Sequence, residues 1–222
     1  MRAKTSSSKF SSPAQRGRRF VRSTNRRGGV ALAALAFVAF STAALADWQQ
    51  QAAPGDLQRL SRLTEARAKA LDESRRGPGT GDQSAIAGVM NVSPQRASAQ
   101  AYVGNWRCRT VKLGGISAYV VYGWFNCRIS QRDGELFLEK LNGSQRTRGY
   151  LYEDNGAFVY LGASSVADEP PHRYSGNGAS VGGTATPDDQ IGILTMIGAG
   201  HARLEMPFPV QESTLDVLEL KR

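Results

Sequence analysis

The chain carries little of what catalysis or redox chemistry usually needs. Its 222 residues include two histidines and two cysteines. There is no HExxH, no Walker-type phosphate loop and no GxGxxG after a strand pattern, which removes the zincin, P-loop and dinucleotide-binding classes. The cysteines, Cys108 and Cys127, form no CxxC and have no histidine near them in sequence, so neither a redox motif nor a zinc site is implied. His172 and His201 have no carboxylate and nucleophile at recognisable spacing, and Gly143-Ser144-Gln145 is a turn rather than a nucleophile elbow. The expectation is no catalytic residue, no metal and no cofactor.

Acidic residues are missing from the first 46 positions, which hold nine of the 28 lysines and arginines. That leaves 19 residues of each sign for 47–222, so the formal +9 belongs to the front end and the rest is neutral. No electrostatic footprint for nucleic acid survives. The apolar run Val30–Phe40 is too short to span a bilayer, which takes roughly 20 residues. A basic region, this run and Ala44-Leu45-Ala46 follow in the order of a signal peptide over 1–46, with cleavage before Asp47. The general secretory path is preferred; Arg18-Arg19-Phe20 and Arg26-Arg27 raise the twin-arginine route as the alternative. The mature chain is expected to be periplasmic or secreted, without a transmembrane segment.

Two regions follow. Residues 47–100 read as a helical segment and linker. Pro54 to Arg76 places Leu57, Leu60, Leu63, Thr64, Ala68 and Leu71 on one face, with Asp56 as a cap and Arg67 as a blemish on that face. Gly77-Pro78-Gly79-Thr80-Gly81 breaks it, 83–91 reads as a second short helix, and Pro94 to Gln100 as a linker. From 101 to 222 the period is two. Strands are expected near 105–113, 118–130, 134–142, 146–153, 157–164, 190–197, 201–207 and 214–220. Arg132-Asp133-Gly134, Asn155-Gly156 and Gly198-Ala199-Gly200 are tight-turn signals. The fold class is mainly β: an antiparallel meander closing into a small lipocalin-like barrel, with a sandwich as the alternative. Residues 167–189 interrupt the pattern as a long loop expected to be mobile.

In an exported protein Cys108 and Cys127 are expected to be bonded. If they stand directly opposite, Trp106 meets Ile129, Thr110 meets Phe125, Arg107 meets Arg128 and Arg109 meets Asn126. The cysteine face is then apolar and the other charged, as a half-buried sheet requires. Leu136 and Leu138 continue the core face. Glu135 and Glu139 join the arginines outside.

Gly104-Asn105-Trp106 resembles the Gly-x-Trp that opens the first strand of lipocalins and related small barrels. That resemblance implies structural roles for Gly104 and Trp106, and a basic residue of the last strand, Lys221 or Arg222, over the tryptophan. A longer resemblance rests on NWRCRTVKLGG, VVYGWFNCRI, LEKLNGSQRTRG and FPVQESTLDVLEL, in order. These blocks resemble the bacterial family catalogued as domain of unknown function 4893, from about Leu57 to the C-terminus. The resemblance implies a secreted or periplasmic protein and no activity.

The polar cluster Glu139, Lys140, Gln145 and Arg146 is the candidate binding site, as groups on a barrel rim able to hold an anion or carboxylate. If bulky residues plug one end, the open end lies near Gln145, Arg146 and the 167–189 loop, as an apolar pocket with a polar mouth. The expected function is non-enzymatic binding of a small apolar ligand or an envelope protein. A secreted protease inhibitor is the alternative, and a hydrolase a third reading.

Overall fold

The computed structural model describes residues 48–176 and 186–222. The expected signal peptide, its cleavage site and the middle of the 167–189 loop lie outside the described residues. Five helices come first: α1 (Trp48–Gln51), α2 (Pro54–Ser61), α3 (Leu63–Ser74), α4 (Thr80–Met90) and α5 (Ala99–Tyr102). Nine strands follow: β1 (Gly104–Leu113), β2 (Tyr119–Val121), β3 (Phe125–Arg132), β4 (Glu135–Lys140), β5 (Gln145–Asp154), β6 (Ala157–Val166), β7 (Asp189–Gly198), β8 (His201–Pro207) and β9 (Leu215–Lys221).

Consecutive pairing runs β1-β3-β4-β5-β6-β7-β8-β9, and β9 returns to pair with β1. The result is a closed antiparallel barrel of eight strands, with β2 as an extra strand on β1. The turn chemistry drives the meander. Asp133 and Gly134 both have positive φ (54° and 89°), as do Asn155 and Gly156 (52° and 83°), the conformation that two-residue hairpins need to match strand twist.

Cys108 and Cys127 are bonded, with Cα atoms 5.8 Å apart. Their register differs from the expected one by two residues. Trp106 stands opposite Cys127, Cys108 opposite Phe125, and Gly104 opposite Ile129. The bond therefore joins diagonal neighbours, which strand twist brings within disulfide reach. A slip of two keeps every side chain on its face, so Trp106, Cys108, Cys127 and Ile129 are still inside. Arg107 faces Asn126 rather than Arg128, and Arg128 instead faces Glu139 across β4. The expected strand 118–130 is cut by Tyr122-Gly123-Trp124. Three residues there lie against Arg109 and Thr110 of β1, so β2 pairs in a register one off from β3.

The helices also differ from the expected stripe. Pro54 to Arg76 is two helices broken at Arg62, and α4 already begins at Thr80. Asp56 does not cap: it is fully buried and accepts bonds from Arg59 and from Tyr174 Oη (2.6 Å). The residues of α3 that vanish are Ala66, Ala70 and Ser74 rather than the leucines. Small side chains let the helix lie close on the barrel's outer wall, over Val111, Leu113, Leu215 and Val217. Arg67, the blemish, turns inward and binds Glu205 of β8 through two nitrogens at 2.8 and 2.6 Å. The expected linker contains a bridge from Gln95 to Met196 and then α5.

One barrel end is solid. Tyr102, Trp106, Leu138, Leu151, Phe158, Leu194, Leu204 and Leu220 fill it. Trp106 Nε1 donates to Tyr102 O (2.7 Å), and Met196 N donates to Tyr102 Oη (2.8 Å). The Arg222 guanidinium lies 4.0 Å from the Trp106 ring centre and donates to the carbonyls of Tyr102 and Val103 at 3.0 and 2.7 Å. Gly104, at φ 135°, sits where a β-carbon would approach Arg222 Nη2 to 3.3 Å. Glycine and tryptophan thus share one job, seating the closing arginine.

Candidate functional site

Away from the plug, the inward positions of the same strands change character. In β1, Trp106 and Cys108 give way to Thr110 and Lys112; in β9, Leu220 and Leu218 give way to Asp216. In β4, Leu136 and Leu138 give way to Lys140, and in β5 Leu151 gives way to Thr147. The polar ends meet in a cavity of about 570 Å³. Its mouth is formed by Gln145, Val166, Glu169, Pro170, His172, Pro187, Asp188 and the β8–β9 connection around Pro209–Glu212. The expected location of the open end is the observed one. Its lining mixes the expected apolar groups, among them Met206 and Leu218, with hydroxyls, amides and charges that the expectation had placed only at the mouth.

Deep in the cavity, Thr147 Oγ1 is 2.7 Å from Tyr160 Oη and also bonds Gln190. Tyr160 is completely buried, and burial raises its pKa, so the phenol stays neutral.

Lys140 is the unusual member. It is 8 % exposed, and among the described residues it has no hydrogen bond and no carboxylate within ion-pair distance. Its ammonium lies 4.3 Å from the Phe125 ring centre. Burial, helped by Arg146 and Lys112, lowers its pKa to about 8. Arg146 Nη1 donates to the carbonyl of Leu141, while its Nε is buried without a partner.

Across the barrel the charges are matched differently. Lys112 bonds Glu212, and it faces Asp216 directly in the β1–β9 register. Burial opposes the Lys112 charge, but Glu212 and Asp216 outweigh it and its pKa is raised. Asp216 is 7 % exposed and accepts a 2.5 Å bond from Ser213 Oγ. Burial raises its pKa to about 6.

Of the four sequence-derived candidates, Lys140, Gln145 and Arg146 line this cavity. Glu139 does not. Neighbours in a strand point to opposite faces, and Glu139 lies outside, among Arg128 (3.2 Å), Arg132 (3.6 Å) and Arg148 (3.5 Å). Lys112, Thr147, Gln190 and Asp216 were missed. The signal for one of them was present: continuing the cysteine face of β1 past Thr110 reaches Lys112.

The histidines offer no nucleophilic site. His201 Nε2 meets Glu219 Oε1 at 2.9 Å on the outer wall. His172 Nδ1 meets Asp188 Oδ2 at 3.2 Å on the lip, but Ser164 Oγ lies against Asp188 (3.3 Å) rather than the imidazole. No group of three or more metal-ligating side chains occurs among the described residues. No helix among them is long and apolar enough to cross a membrane.

The family described as Domain of unknown function (DUF4893) matches residues 48–220. No curated protein matches. Among solved structures, a redesigned beta barrel is similar at 9 % identity and a TM-score of 0.35, covering 59 % of this chain and 98 % of that one.

Proposed function

We propose, for a chain that belongs to the domain of unknown function 4893 family and takes no activity from that membership, a binding barrel for a small anionic ligand. The observation that carries this reading is Lys140. Most of the side chain is buried while its ammonium reaches the cavity without a protein counter-charge, an arrangement in which partial desolvation is not offset by a partner. Here the ammonium is held against an aromatic ring beside Arg146, at a cavity open to solvent. An entering carboxylate or phosphate would supply the missing counter-charge. The cavity is within the ordinary range for small-molecule sites, about 300–1,000 Å³. The charged groups inside the cavity, Lys140 foremost, favour such a ligand over a purely hydrocarbon one. The hollow end favours a ligand carrier over an inhibitor, for which a solid barrel would serve as well.

The protein acts, in this reading, after export to the periplasm or beyond. Support comes from the order of basic region, apolar run and small-residue cleavage pattern in 1–46, and from the Cys108–Cys127 bond, which suits an oxidising compartment.

The test is calorimetric titration of the purified protein with acetate, succinate, phosphate and neutral analogues of similar size. At least one anion should bind saturably, with neutral analogues much weaker. Lys140→Met should abolish that binding, and Arg146→Ala should weaken anions more than neutral compounds. Absence of saturable binding by any anion would reject the reading.

A further inference from the structure

The charge inside the barrel is polarised, and the polarity specifies more about the ligand than its sign. Around the closed ring, β9 and β5 are four strands apart in either direction. Asp216 on β9 therefore stands across the cavity from Thr147 on β5, and nearly across from Lys140 on the neighbouring β4. The Lys140 side holds two cations, Lys140 and Arg146; Arg146, and more weakly Lys112 from two strands away, depress Lys140. The Asp216 side holds one cation, Lys112, already engaged by Glu212, and two carboxylates. One wall is thus short of an anion, and the other short of a cation. Both deficits are carried by side chains more than nine-tenths buried: Lys140 at 8 % and Asp216 at 7 % exposed. Asp216 has one described hydrogen bond, from Ser213, so its carboxylate has further acceptor capacity toward the cavity.

We propose that the ligand is a small zwitterion, an amino-carboxylate whose acid group meets Lys140 and Arg146 and whose ammonium meets Asp216. This deepens the anion-binding reading and rests on it. A zwitterion satisfies both walls at once and adds no net charge to the interior. A simple carboxylate would satisfy Lys140 and leave Asp216 facing a methyl or methylene group. The hydroxyl and amide groups of Thr147, Ser164 and Gln190 also line the cavity and suit a polar backbone.

The test is a paired series. Glycine, 3-aminopropanoate, 4-aminobutanoate, 5-aminopentanoate and 6-aminohexanoate are titrated calorimetrically against alkanoates of matched length. At neutral pH at least one amino acid should bind ten-fold or more tightly than its alkanoate, with an optimum in chain length that reports the gap between the walls. In Asp216→Asn, which keeps the acceptor for Ser213, that preference should fall to within about two-fold while alkanoate binding is retained. Circular dichroism checks that the variant is folded. If amino acids and alkanoates bind the wild type equally, the zwitterion inference is overturned and the anion reading stands. If neither series binds, nor any of the simple anions, both fail. If the preference survives Asp216→Asn, the cationic end lies elsewhere and the inference is rejected.

Discussion

Trp106 lies directly opposite Cys127, so the Cys108–Cys127 bond crosses from β1 to β3 on the diagonal. The tryptophan therefore packs beside the bond it helps to bury, and Arg222 covers its ring. The bond closes the β1–β3 loop, which includes β2. Cys108→Ala/Cys127→Ala should still form the barrel, since the remaining strand pairs are untouched. On a chain-entropy argument it should lose about 3 kcal/mol in urea denaturation, with little change in far-ultraviolet dichroism.

Arg222 combines a cation–π contact with two hydrogen bonds to the carbonyls that end α5. Arg222→Ala should cost about 1–3 kcal/mol and red-shift part of the tryptophan emission, because water gains access to Trp106. Arg222→Lys should recover less than half, since a single ammonium cannot reproduce the planar stack and the forked donors.

Arg203 and Glu205 are each 1 % exposed, and they hold the helices to the barrel. Arg203 Nη1 donates to the carbonyls of Val89 (2.8 Å), Met90 (3.2 Å) and Val92 (3.2 Å) at the end of α4, and Glu205 is bound by Arg67 of α3. Glu205→Ala leaves a buried guanidinium without its counter-charge and should cost about 3–5 kcal/mol. Hydrogen exchange should show α3 and α4 opening before the strands.

Lys140 should behave as a destabilising group in the empty barrel. Its folded pKa, about 8, is below its ordinary value of 10.5. The fold thus binds fewer protons than the unfolded chain between these limits. Stability linked to this group is fully present above about 10.5 and is lost as pH falls through about 8. Lys140→Met should raise unfolding stability at pH 7 by about 1–3 kcal/mol, an advantage that shrinks toward zero by about pH 10.5. A variant that gains stability while losing anion binding separates a ligand-binding role from a structural one.

Asp216 titrates in the opposite sense. Ser213, Lys112 and Glu212 face it, and burial dominates, placing its pKa at about 6 against an ordinary 3.8. The stability linked to its proton is fully present below about 3.8 and lost as pH rises through about 6. Asp216→Asn should flatten this part of the stability–pH curve, removing a change of about 1–3 kcal/mol between pH 4 and 7. Chemical denaturation across that range checks it.

The barrel was legible because its sequence alternates cleanly and its hairpins use turn residues with a mechanism. The disulfide register was not. Alternation has a period of two, so a slip of two leaves each residue on the same face, and nothing in the pattern penalises the error. The helix face misled for another reason. Leucines mark an amphipathic stripe, yet contact with a curved sheet needs close approach, and Ala66 and Ala70 permit it where leucine would not. Lys140, Gln145 and Arg146 stood out as a local cluster. Lys112 and Asp216 did not, because they are distant in sequence and meet only when β9 closes on β1. Glu139 was admitted by proximity along the chain, where alternation alone already placed it on the opposite face from Lys140.

The interruption at Tyr122–Trp124 leaves one strand with an unused side. Among the described residues β2 pairs with β1 alone, so its far side, along Tyr119–Val121, is a free row of backbone donors and acceptors. Three residues give another polypeptide little to zip onto. A seamless ring would deny strand exchange entirely, and a long fringe would invite fibrils. This chain has a brief selvedge beside exposed Ile116 and Val120, too short to template growth. Self-association through added strands should therefore stay negligible even at high protein concentration.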